Sequence, residues 1–383
     1  MTKKNYTRRE VLKAGVVVGT TFAVAPLVMR TEVLAANKKN PRLYVGYIFT
    51  THHTPLMVAA IRGKAFKKAG AYLRTMVPKQ KYELVSADGS SLAVLNLIVS
   101  KSGSETTTLF AQNRLDIGLA SSTAFMCGID RGTKMKILCP LHVDGMAMVF
   151  PPDSTLNGWA DVERYIRNSK SPVKIGYHSP TSAPRVVFEG ALHKAGFKIT
   201  ENANDVSADI LLVDLRSTSN LMPALVSRQV DCWVGPAPYP AVAEFKNVGH
   251  MALDSRALPP KGEWENFPCC VMGASEQAIA KHPKVIQCMT DLITVVGDWC
   301  NANKTETASI SSQWIGVPAQ AVERSKIVYT TMPSQNWMRG VGMFVSVLNS
   351  MKKFRGSLNG QKLADVQDLL FDFSFVNRSQ SKG

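Results

Sequence analysis

The stretch LYVGYIFTTHHTPLMVAAIRGKAFKKAG (residues 43–70) decides the fold class. Residues 43–48 are an apolar run of strand length, and a polar loop follows them. Residues 55–69 then place apolar side chains at helical spacing, with Thr54 suited to cap the helix and Pro55 suited to its first turn. A strand, a polar loop and a helix in this order predict one unit of a parallel α/β sheet.

The same alternation continues along the chain and then starts again. We predict strands at 82–86, 117–120, 136–141 and 147–150, and helices at 91–99 and 123–131. The segment VKIGY (173–177) then repeats the pattern of YVGY (44–47), and QVDC (229–232) repeats that of RLDI (114–117). Two such matches in the same order predict two lobes of similar build.

The last third of the sequence has a different character. Strands are predicted at 251–256 and 269–273, and helices at 275–281, 283–301, 307–314 and 338–353. We expect this helical tail to pack back on the first lobe. Lobe one is then 41–145 plus 250–377, lobe two is 146–249, and the two crossings between them form a hinge.

The first 36 residues have the features of an export signal. A basic segment that contains Arg8 and Arg9 precedes an apolar stretch that is too short and too broken for a membrane helix. The run TRREVLK (7–13) resembles the twin-arginine consensus, so we expect export by that route to the periplasm. An ordinary secretory signal that happens to hold two arginines is the alternative.

Charge and motifs exclude several classes of function. The net charge is +16, which leaves about +12 on residues 37–383, and no basic run is interleaved with aromatic residues. We therefore expect no nucleic-acid partner, whereas the positive charge favours anionic ligands at long range. No nucleophile elbow, metalloprotease helix or phosphate-binding loop is recognisable, so we predict no catalytic residue, no cofactor and no enzyme activity.

The cysteine pattern predicts thiols rather than a disulfide framework. The chain has seven cysteines, an odd number, and no pair at CxxC spacing. Phe267-Pro268-Cys269-Cys270 admits two interpretations, a metal or redox site and a hinge strand with small buried side chains, and we prefer the second. Adjacent His52 and His53 should point in opposite directions, so no metal ligand is predicted.

The ligand of an open parallel sheet binds beyond the carboxyl ends of the strands. Several loops at those ends open helices with Ser or Thr, and helix starts with free N–H groups suit an anion. Plain helix capping is the alternative for any single loop. The predicted ligand-binding residues are Thr51, His53, Thr54, Ser90, Ser91, Ser122, Thr123, His178, Thr181, Ser182, Trp233 and Tyr239.

Several of these stretches resemble one known family. They are VGYIFTTHHTPLMVAAIRGKAF (45–66), NRLDIGLASSTAF (113–125), VKIGYHSPTSAPRVVFEGALHKAGF (173–197) and RQVDCWVGPAPYPA (228–241). Together they resemble the nitrate/sulfonate/taurine-type family of ABC transporter periplasmic substrate-binding proteins. The resemblance implies a type II periplasmic-binding-protein fold, a ligand held between two lobes, and an ABC transporter permease as partner.

By position, the resemblance implies ligand contacts at seven of the predicted residues, namely Thr51, His53, Ser90, Ser122, Thr123, Ser182 and Trp233. The sequence departs from the family pattern at His178-Ser179-Pro180-Thr181, at Gly235-Pro236-Ala237-Pro238 and at Cys269-Cys270. These departures leave the ligand open among sulfonates, nitrate and carboxylates.

We therefore expect an extracytoplasmic receptor, monomeric, that delivers a small anion to an ABC importer. One alternative is a metal-dependent enzyme related to thiamine-pyrimidine synthases, with His53 and Cys269-Cys270 as a reduced form of their histidine and iron motif. Another is a ligand-sensing subunit of a signalling system. On the receptor interpretation, Trp233→Ala should weaken ligand binding and leave thermal stability largely intact.

Overall fold

The computed structural model describes residues 40–381. The predicted export signal, residues 1–36, lies outside the described residues. Within 40–381, no helix combines the length and the apolar character needed to cross a bilayer. Two separate sheets with surrounding helices build this part of the chain.

The first sheet has seven strands in the order β2-β3-β4-β1-β5-β14-β6. They are β1 (Arg42–Tyr47), β2 (Ala71–Val77), β3 (Lys81–Ser86), β4 (Ser91–Val99), β5 (Ile117–Ser121), β6 (Met135–Pro140) and β14 (Cys270–Ser275). Strands β4, β1 and β5 run parallel, and β14 is antiparallel to both of its neighbours, β5 and β6.

The second sheet has six strands in the order β10-β11-β9-β12-β8-β13. They are β8 (Met146–Phe150), β9 (Val173–Tyr177), β10 (Ile199–Thr200), β11 (Ile210–Asp214), β12 (Cys232–Pro236) and β13 (His250–Asp254). A third, two-stranded sheet pairs β7 (His142–Asp144) with β15 (Ile327–Tyr329). Two lobes, each with its own α/β sheet, confirm the predicted fold class.

Helices cover both sheets. Those of the first 250 residues are α1 (Thr54–Arg62), α2 (Gly103–Ala111), α3 (Ser122–Asp130), α4 (Trp159–Asn168), α5 (Ala183–Lys194), α6 (Leu221–Val226) and α7 (Tyr239–Phe245). The later ones are α8 (Glu276–Lys281), α9 (Pro283–Ala302), α10 (Lys304–Ile315), α11 (Ala319–Glu323), α12 (Gln335–Ser350), α13 (Leu363–Leu370) and α14 (Ser374–Gln380). Helix α9 packs on α1, and α13 and α14 pack on β6, so much of the helical tail covers the first lobe as expected.

The segment 91–99, predicted as a helix, is strand β4, so that prediction is wrong. Strands β2, β3 and β4 form an antiparallel meander, and β4 then pairs in parallel with β1. Strand β2 was not predicted. The apolar run of β4 is short, and periodicity alone does not distinguish a buried strand from a buried helix of that length.

The predicted similarity of the two lobes has a structural basis in two equivalent aspartates. The Asp116 carboxylate accepts the backbone N–H of Tyr44 at 2.8 Å, and the Asp231 carboxylate accepts that of Lys174 at 2.8 Å. Asp116 directly precedes β5, which pairs in parallel with β1. Asp231 directly precedes β12, which pairs in parallel with β9. The same hydrogen bond therefore fixes the register of neighbouring strands in both lobes.

The chain crosses between the sheets twice. The first crossing runs through residues 141–145, between β6 and β8, and the second through residues 255–269, between β13 and β14. Strand β13 pairs with β8 in the second sheet. The return to the first sheet therefore falls after Asp254, later than the predicted lobe boundary at residue 250.

Candidate functional site

A small cavity lies between the two sheets, at the ends of β1, β5, β9 and β12. Because β14 is antiparallel to β5, its first residue reaches the same edge. The cavity has a volume of about 30 Å³, whereas pockets for drug-sized ligands hold about 300–1,000 Å³. Its wall includes Thr50, His52, Ser121, His178, Ser182 and Thr218.

The loop after β1, which belongs to lobe one, makes a hydrogen bond to lobe two. The Thr50 hydroxyl accepts the backbone N–H of His52 at 3.3 Å and so caps the short 3₁₀ turn Thr51–His53. The same hydroxyl donates to the carbonyl of Ala237, at the end of β12, at 2.6 Å. One side chain therefore both shapes the loop and joins it to the other lobe.

The starts of α2, α3 and α5 meet across the cavity through hydroxyl groups. The Thr123 hydroxyl donates to the carbonyl of Thr181 at 2.7 Å, and that of Ser121 donates to the same oxygen at 3.3 Å. The Ser104 hydroxyl lies 2.8 Å from that of Ser179 and 2.9 Å from that of Thr181. These bonds hold the two lobes together, so the structure shows a closed cleft.

Tyr239 closes a second side of the cleft. Its hydroxyl donates to the carbonyl of Phe49, in the loop after β1, at 2.7 Å and accepts from Thr218 at 3.2 Å. Tyr239 begins α7 in lobe two, whereas Phe49 follows the central strand of lobe one. The hydrogen bond from the Tyr239 hydroxyl therefore crosses the cleft.

Two histidines and two cysteines form a cluster on the floor of the cleft. One ligand atom from each of His52, His142, Cys269 and Cys270 lies within 4.8 Å of every other, and all four residues are buried. The Nδ1 atom of His52 is 3.4 Å from Sγ of Cys269 and 3.6 Å from Sγ of Cys270, and the two sulfurs are 4.0 Å apart. The ring centroids of His52 and His142 are 4.0 Å apart.

Backbone carbonyls orient both imidazole rings of this His/Cys cluster. Nε2 of His52 donates to the carbonyl of Gly145 at 2.9 Å, and Nδ1 of His142 donates to that of Val143 at 3.3 Å. The proton of each neutral ring is then on the nitrogen that faces the carbonyl. The other nitrogen presents its lone pair to the cluster.

Gly145 is required where it lies. Its φ is +79°, and a Cβ atom there would be 2.6 Å from Ile327 and 3.0 Å from Nε2 of His52. A side chain at this position would therefore be strained and would push against the His52 ring.

Burial favours the neutral forms of His178, His142 and Cys269. It lowers the pKa of His178 to about 3, with a further contribution from nearby His52. Burial also lowers the pKa of His142 and raises that of the Cys269 thiol to about 12, to which its hydrogen bond with Cys270 adds. Neutral imidazole is the form that binds metal ions, whereas a thiol must first lose its proton.

The family of the chain follows from comparison with a family model. The model described as "NMT1-like family" matches residues 36–316, which is more than half of the chain. The chain belongs to the NMT1-like family. This assignment confirms the predicted nitrate/sulfonate-type resemblance.

Solved structures with the same fold support the assignment of this NMT1-like protein to the periplasmic-binding-protein fold. A ligand-binding component of an ABC-type import system from Staphylococcus aureus, with zinc bound, is 14% identical with a TM-score of 0.67, over 89% of this chain and 99% of that chain. The nitrate-binding protein NrtA of Synechocystis PCC 6803 is 13% identical with a TM-score of 0.64, over 90% of this chain and 89% of that chain. The alkanesulfonate-binding protein SsuA of Xanthomonas axonopodis pv. citri, bound to MOPS, is 12% identical with a TM-score of 0.59, over 83% and 96%. At these identities the likeness shows the fold.

One curated relative of this NMT1-like protein is more similar in sequence. An uncharacterized protein of Methanocaldococcus jannaschii is 31% identical over 110 residues, which are 28% of this chain and 76% of that protein.

Six predicted site residues of the NMT1-like chain lie together at the interface of the lobes. Ser182 and His178 line the cavity, and Thr123, Thr181 and Tyr239 make the hydrogen bonds between the lobes. Ser122 begins α3 beside them, and its buried hydroxyl has no hydrogen-bond partner within residues 40–381.

Four other predicted residues are directed away from the cavity. Nδ1 of His53 accepts the N–H of Ile48 at 2.9 Å, so His52 is the histidine that reaches the cleft. Thr51 lines a different cavity, beside Asp144 and Tyr329, and Thr54 is buried at the start of α1. Trp233 is fully buried in an apolar cluster of lobe two that includes Val149 and Leu221.

Ser90 and Ser91 lie at the opposite end of the first sheet. The parallel register pairs Arg42 with Val94 and Tyr47 with Val99, so the start of β4 is next to the start of β1. The cleft is at the other end of β1. The helix that these serines were predicted to cap is a strand, and the residues that reach the cleft after β4 are Gly103 and Ser104.

The sequence interpretation missed the His/Cys cluster. Cys269 and His52 are 217 positions apart, and only the antiparallel placement of β14 beside β5 brings them together. The unusual Phe267-Pro268-Cys269-Cys270 segment was the available signal. It is buried at a lobe crossing as preferred, and it also supplies two of the four cluster residues.

Proposed function

We propose that this protein is an extracytoplasmic solute-binding receptor that delivers a small ligand to the permease of an ABC importer. The observation that carries the proposal is the cavity between the lobes, at which loops and helix starts from both sheets converge. The fold is that of structures named as ABC-import and nitrate- or sulfonate-binding components, which supports the proposal. The export signal in residues 1–36 and a monomeric state are parts of the same proposal.

The proposed mechanism is hinge closure around the ligand. Within the described chain, lobe one consists of residues 40–140 and 270–381, and lobe two consists of residues 146–254. The backbone connects them only through the crossings at 141–145 and 255–269. The hydrogen bonds of Thr123, Ser104 and Tyr239 form between lobes and are available only in the closed state. A ligand that touches both lobes binds the closed state more tightly and shifts the equilibrium toward it.

The proposed ligand is a small anion of the nitrate, sulfonate or carboxylate type. Helices α2 and α5 begin at the cavity, and the Ser182 hydroxyl does not cap α5. This leaves the N–H groups of Ala183 and Arg185 available, whereas Pro184 between them has none. Nδ1 of His178 is buried at the cavity wall without a hydrogen-bond partner in the described chain. Donors without a nearby carboxylate suit an anion, and the small volume favours the smallest of these ligands.

The His/Cys cluster bears on the second candidate, a metal-dependent enzyme, because such an enzyme would hold its metal there. A tetrahedral ion held by four protein ligands has no open position for a substrate or water. Catalytic sites keep such a position open. The arrangement therefore supports a binding protein over an enzyme.

A binding experiment with a matched pair of histidine variants tests the receptor proposal. The chain purified from the periplasm is titrated by calorimetry with nitrate, methanesulfonate, taurine and acetate. We expect one of these anions to bind, and His178→Ala to weaken it about 10- to 100-fold, since a hydrogen bond to a charged group contributes about 1.5–3 kcal/mol. His193→Ala, at an exposed position on α5, should bind as the unmodified chain does.

Two results would overturn the receptor proposal. One is the absence of heat and of any rise in melting temperature with all four anions. The other is recovery of a chemically altered compound from the bound fraction, which would support the enzyme instead.

A further inference from the structure

The His/Cys cluster has the dimensions of a metal centre. We propose that His52, His142, Cys269 and Cys270 together bind one tetrahedral Zn²⁺ ion as a resident part of the hinge. This inference goes beyond the receptor function and does not depend on which solute is carried.

The distances between the side chains match those of a tetrahedral site. With Zn–S of about 2.3 Å and Zn–N of about 2.0–2.1 Å, tetrahedral angles place two sulfurs about 3.8 Å apart and a sulfur about 3.5 Å from a nitrogen. The observed separations are 4.0 Å between the sulfurs and 3.4 and 3.6 Å from each sulfur to Nδ1 of His52. These three separations are within about 0.2 Å of the tetrahedral values, and the ligand atoms of all four residues lie within 4.8 Å of one another.

The ring orientations leave the required lone pairs directed at the ion. His52 donates Nε2–H to the carbonyl of Gly145, and His142 donates Nδ1–H to that of Val143. Metal-binding histidines in proteins are held in this way by a carbonyl on the far nitrogen. The Nε2 lone pair of His142 faces the N–H of Cys270 at 3.3 Å, a long hydrogen bond that an ion would replace.

The chemistry of the four ligands selects a divalent, thiophilic ion. Thiolate and imidazole favour zinc or copper(I) over calcium or magnesium, which take oxygen ligands. Binding releases the two thiol protons to solvent, so two thiolates and Zn²⁺ form a centre with no net charge. A buried site tolerates that balance, whereas copper(I) would leave a buried net negative charge.

The position of the cluster assigns the ion to the hinge. His142 lies in the first crossing and Cys269 in the second, and the two crossings already pair through a bridge between Val143 and Pro268. The N–H of Leu141 donates to the carbonyl of Cys270 at 2.9 Å beside it. A zinc ion would join both crossings to the loop that follows β1.

The ligand set also distinguishes a resident ion from transported cargo. All four ligands come from lobe one or from the crossings, and none of the cluster residues lies in residues 146–254. A solute that drives closure must contact both lobes. The ion therefore belongs to the protein, and the cavity beside it remains for the solute.

Metal analysis of the purified chain tests the proposal. The chain is reduced, stripped with a chelator, reloaded with Zn²⁺ and desalted, and its metal content is measured by mass spectrometry. We expect one zinc per chain, a higher melting temperature, and no change in radius of gyration by small-angle X-ray scattering. Co²⁺ in place of zinc should give the absorption bands of a tetrahedral thiolate site, which require no variant and no transported solute.

Variants locate the site. Cys269→Ser/Cys270→Ser and His142→Ala should each bind less than a tenth of an equivalent, whereas Cys288→Ser, on α9, should keep the full equivalent. Zinc should also protect two cysteines from alkylation in the unmodified chain. Circular dichroism shows which variants are folded. If no variant folds, the cobalt spectrum of the unmodified chain decides whether the cysteines bind the metal.

Three outcomes would overturn the proposal. They are no zinc retained by the reduced chain, a cobalt spectrum without sulfur ligation, and compaction of the lobes by zinc alone, which would make the ion cargo. The first two do not bear on anion binding at His178, whereas the third would make the metal ion the transported solute. The calorimetric titration with the four anions tests the receptor function separately.

Discussion

Trp233 illustrates how a residue type misleads when its environment is unknown. The sequence places it at the end of a strand, close to Gly235 and Pro236, where a ligand contact was expected. In the structure its ring lies over Gly235 and packs with Val149 and Leu221, at 0% exposure. The side chain therefore belongs to the apolar core of lobe two and is not among the residues that line the cavity.

The expected effect of Trp233→Ala changes accordingly. Removing this ring from a closed apolar cluster should lower the free energy of unfolding by about 3–5 kcal/mol. Chemical denaturation measures that change, with Trp159→Ala, at a half-buried position on α4, as the comparison. A Trp233→Ala variant with normal stability and no anion binding would restore the prediction that Trp233 contacts the ligand.

His52 and His53 also show that residue type alone does not determine where a side chain points. Their types and order indicate that one of them reaches the cleft, but not which one. The 3₁₀ turn that Thr50 caps turns His53 toward the N–H of Ile48 and His52 toward the cysteines. The choice depends on a loop conformation that strand and helix periodicity does not contain.

At the scale of elements, the strand–loop–helix units were predictable and the meander β2-β3-β4 was not. A local signal for the meander was present, because Asp88-Gly89 is a dipeptide typical of hairpin turns. Gly89 has a φ of +94°, and the Asp88 carboxylate accepts the N–H of Ser90 at 2.8 Å. Because Ser90 and Ser91 were interpreted as helix caps, they were predicted at the ligand site, whereas they lie at the opposite end of the sheet.

The repeated aspartates make a prediction at this scale. Asp116→Ala and Asp231→Ala should each lower the free energy of unfolding by about 1–3 kcal/mol, because each leaves a strand N–H without its charged acceptor. Denaturant titration of the two variants, with the exposed Asp153→Ala as control, measures the effect. Equal stability of all three proteins would show that the shared hydrogen bond does not hold the register.

For the whole molecule, closure depends on a few hydrogen bonds that cross the cleft. The Tyr239 hydroxyl supplies one to the Phe49 carbonyl, and its ring belongs to the apolar cluster of lobe two. Tyr239→Phe keeps the ring and removes the hydroxyl, and with it the bond to Phe49 across the cleft and the bond from Thr218 within lobe two. The loss of about 0.5–1.5 kcal/mol should shift the open–closed equilibrium toward the open form by up to about 10-fold.

Small-angle X-ray scattering without ligand measures that shift as a larger radius of gyration. Tyr165→Phe, on α4 and away from the cleft, provides the matched control. If Tyr239→Phe scatters like the unmodified chain and binds the anion with equal affinity, this hydroxyl does not contribute to closure.

The fold class of the whole molecule could be predicted because strand and helix patterns are local in the sequence. The site could be predicted only in part, because its residues come from distant parts of the chain. The hydroxyls near Thr123 and Thr181 follow from the general position of ligands at strand ends. The His/Cys cluster needs the sheet order, in which β14 enters between β5 and β6 from more than 120 positions later in the chain.

That insertion of β14 also determines when each lobe can be completed during synthesis. Residues 146–254 form a contiguous segment, so the second sheet has all of its strands once the ribosome has passed Asp254. The first sheet lacks β14, the strand between β5 and β6, until Ser275 has been translated, although its other six strands were made much earlier. The nascent amino-terminal half must therefore wait, with the edges of β5 and β6 unpaired, for a late strand to fill the gap.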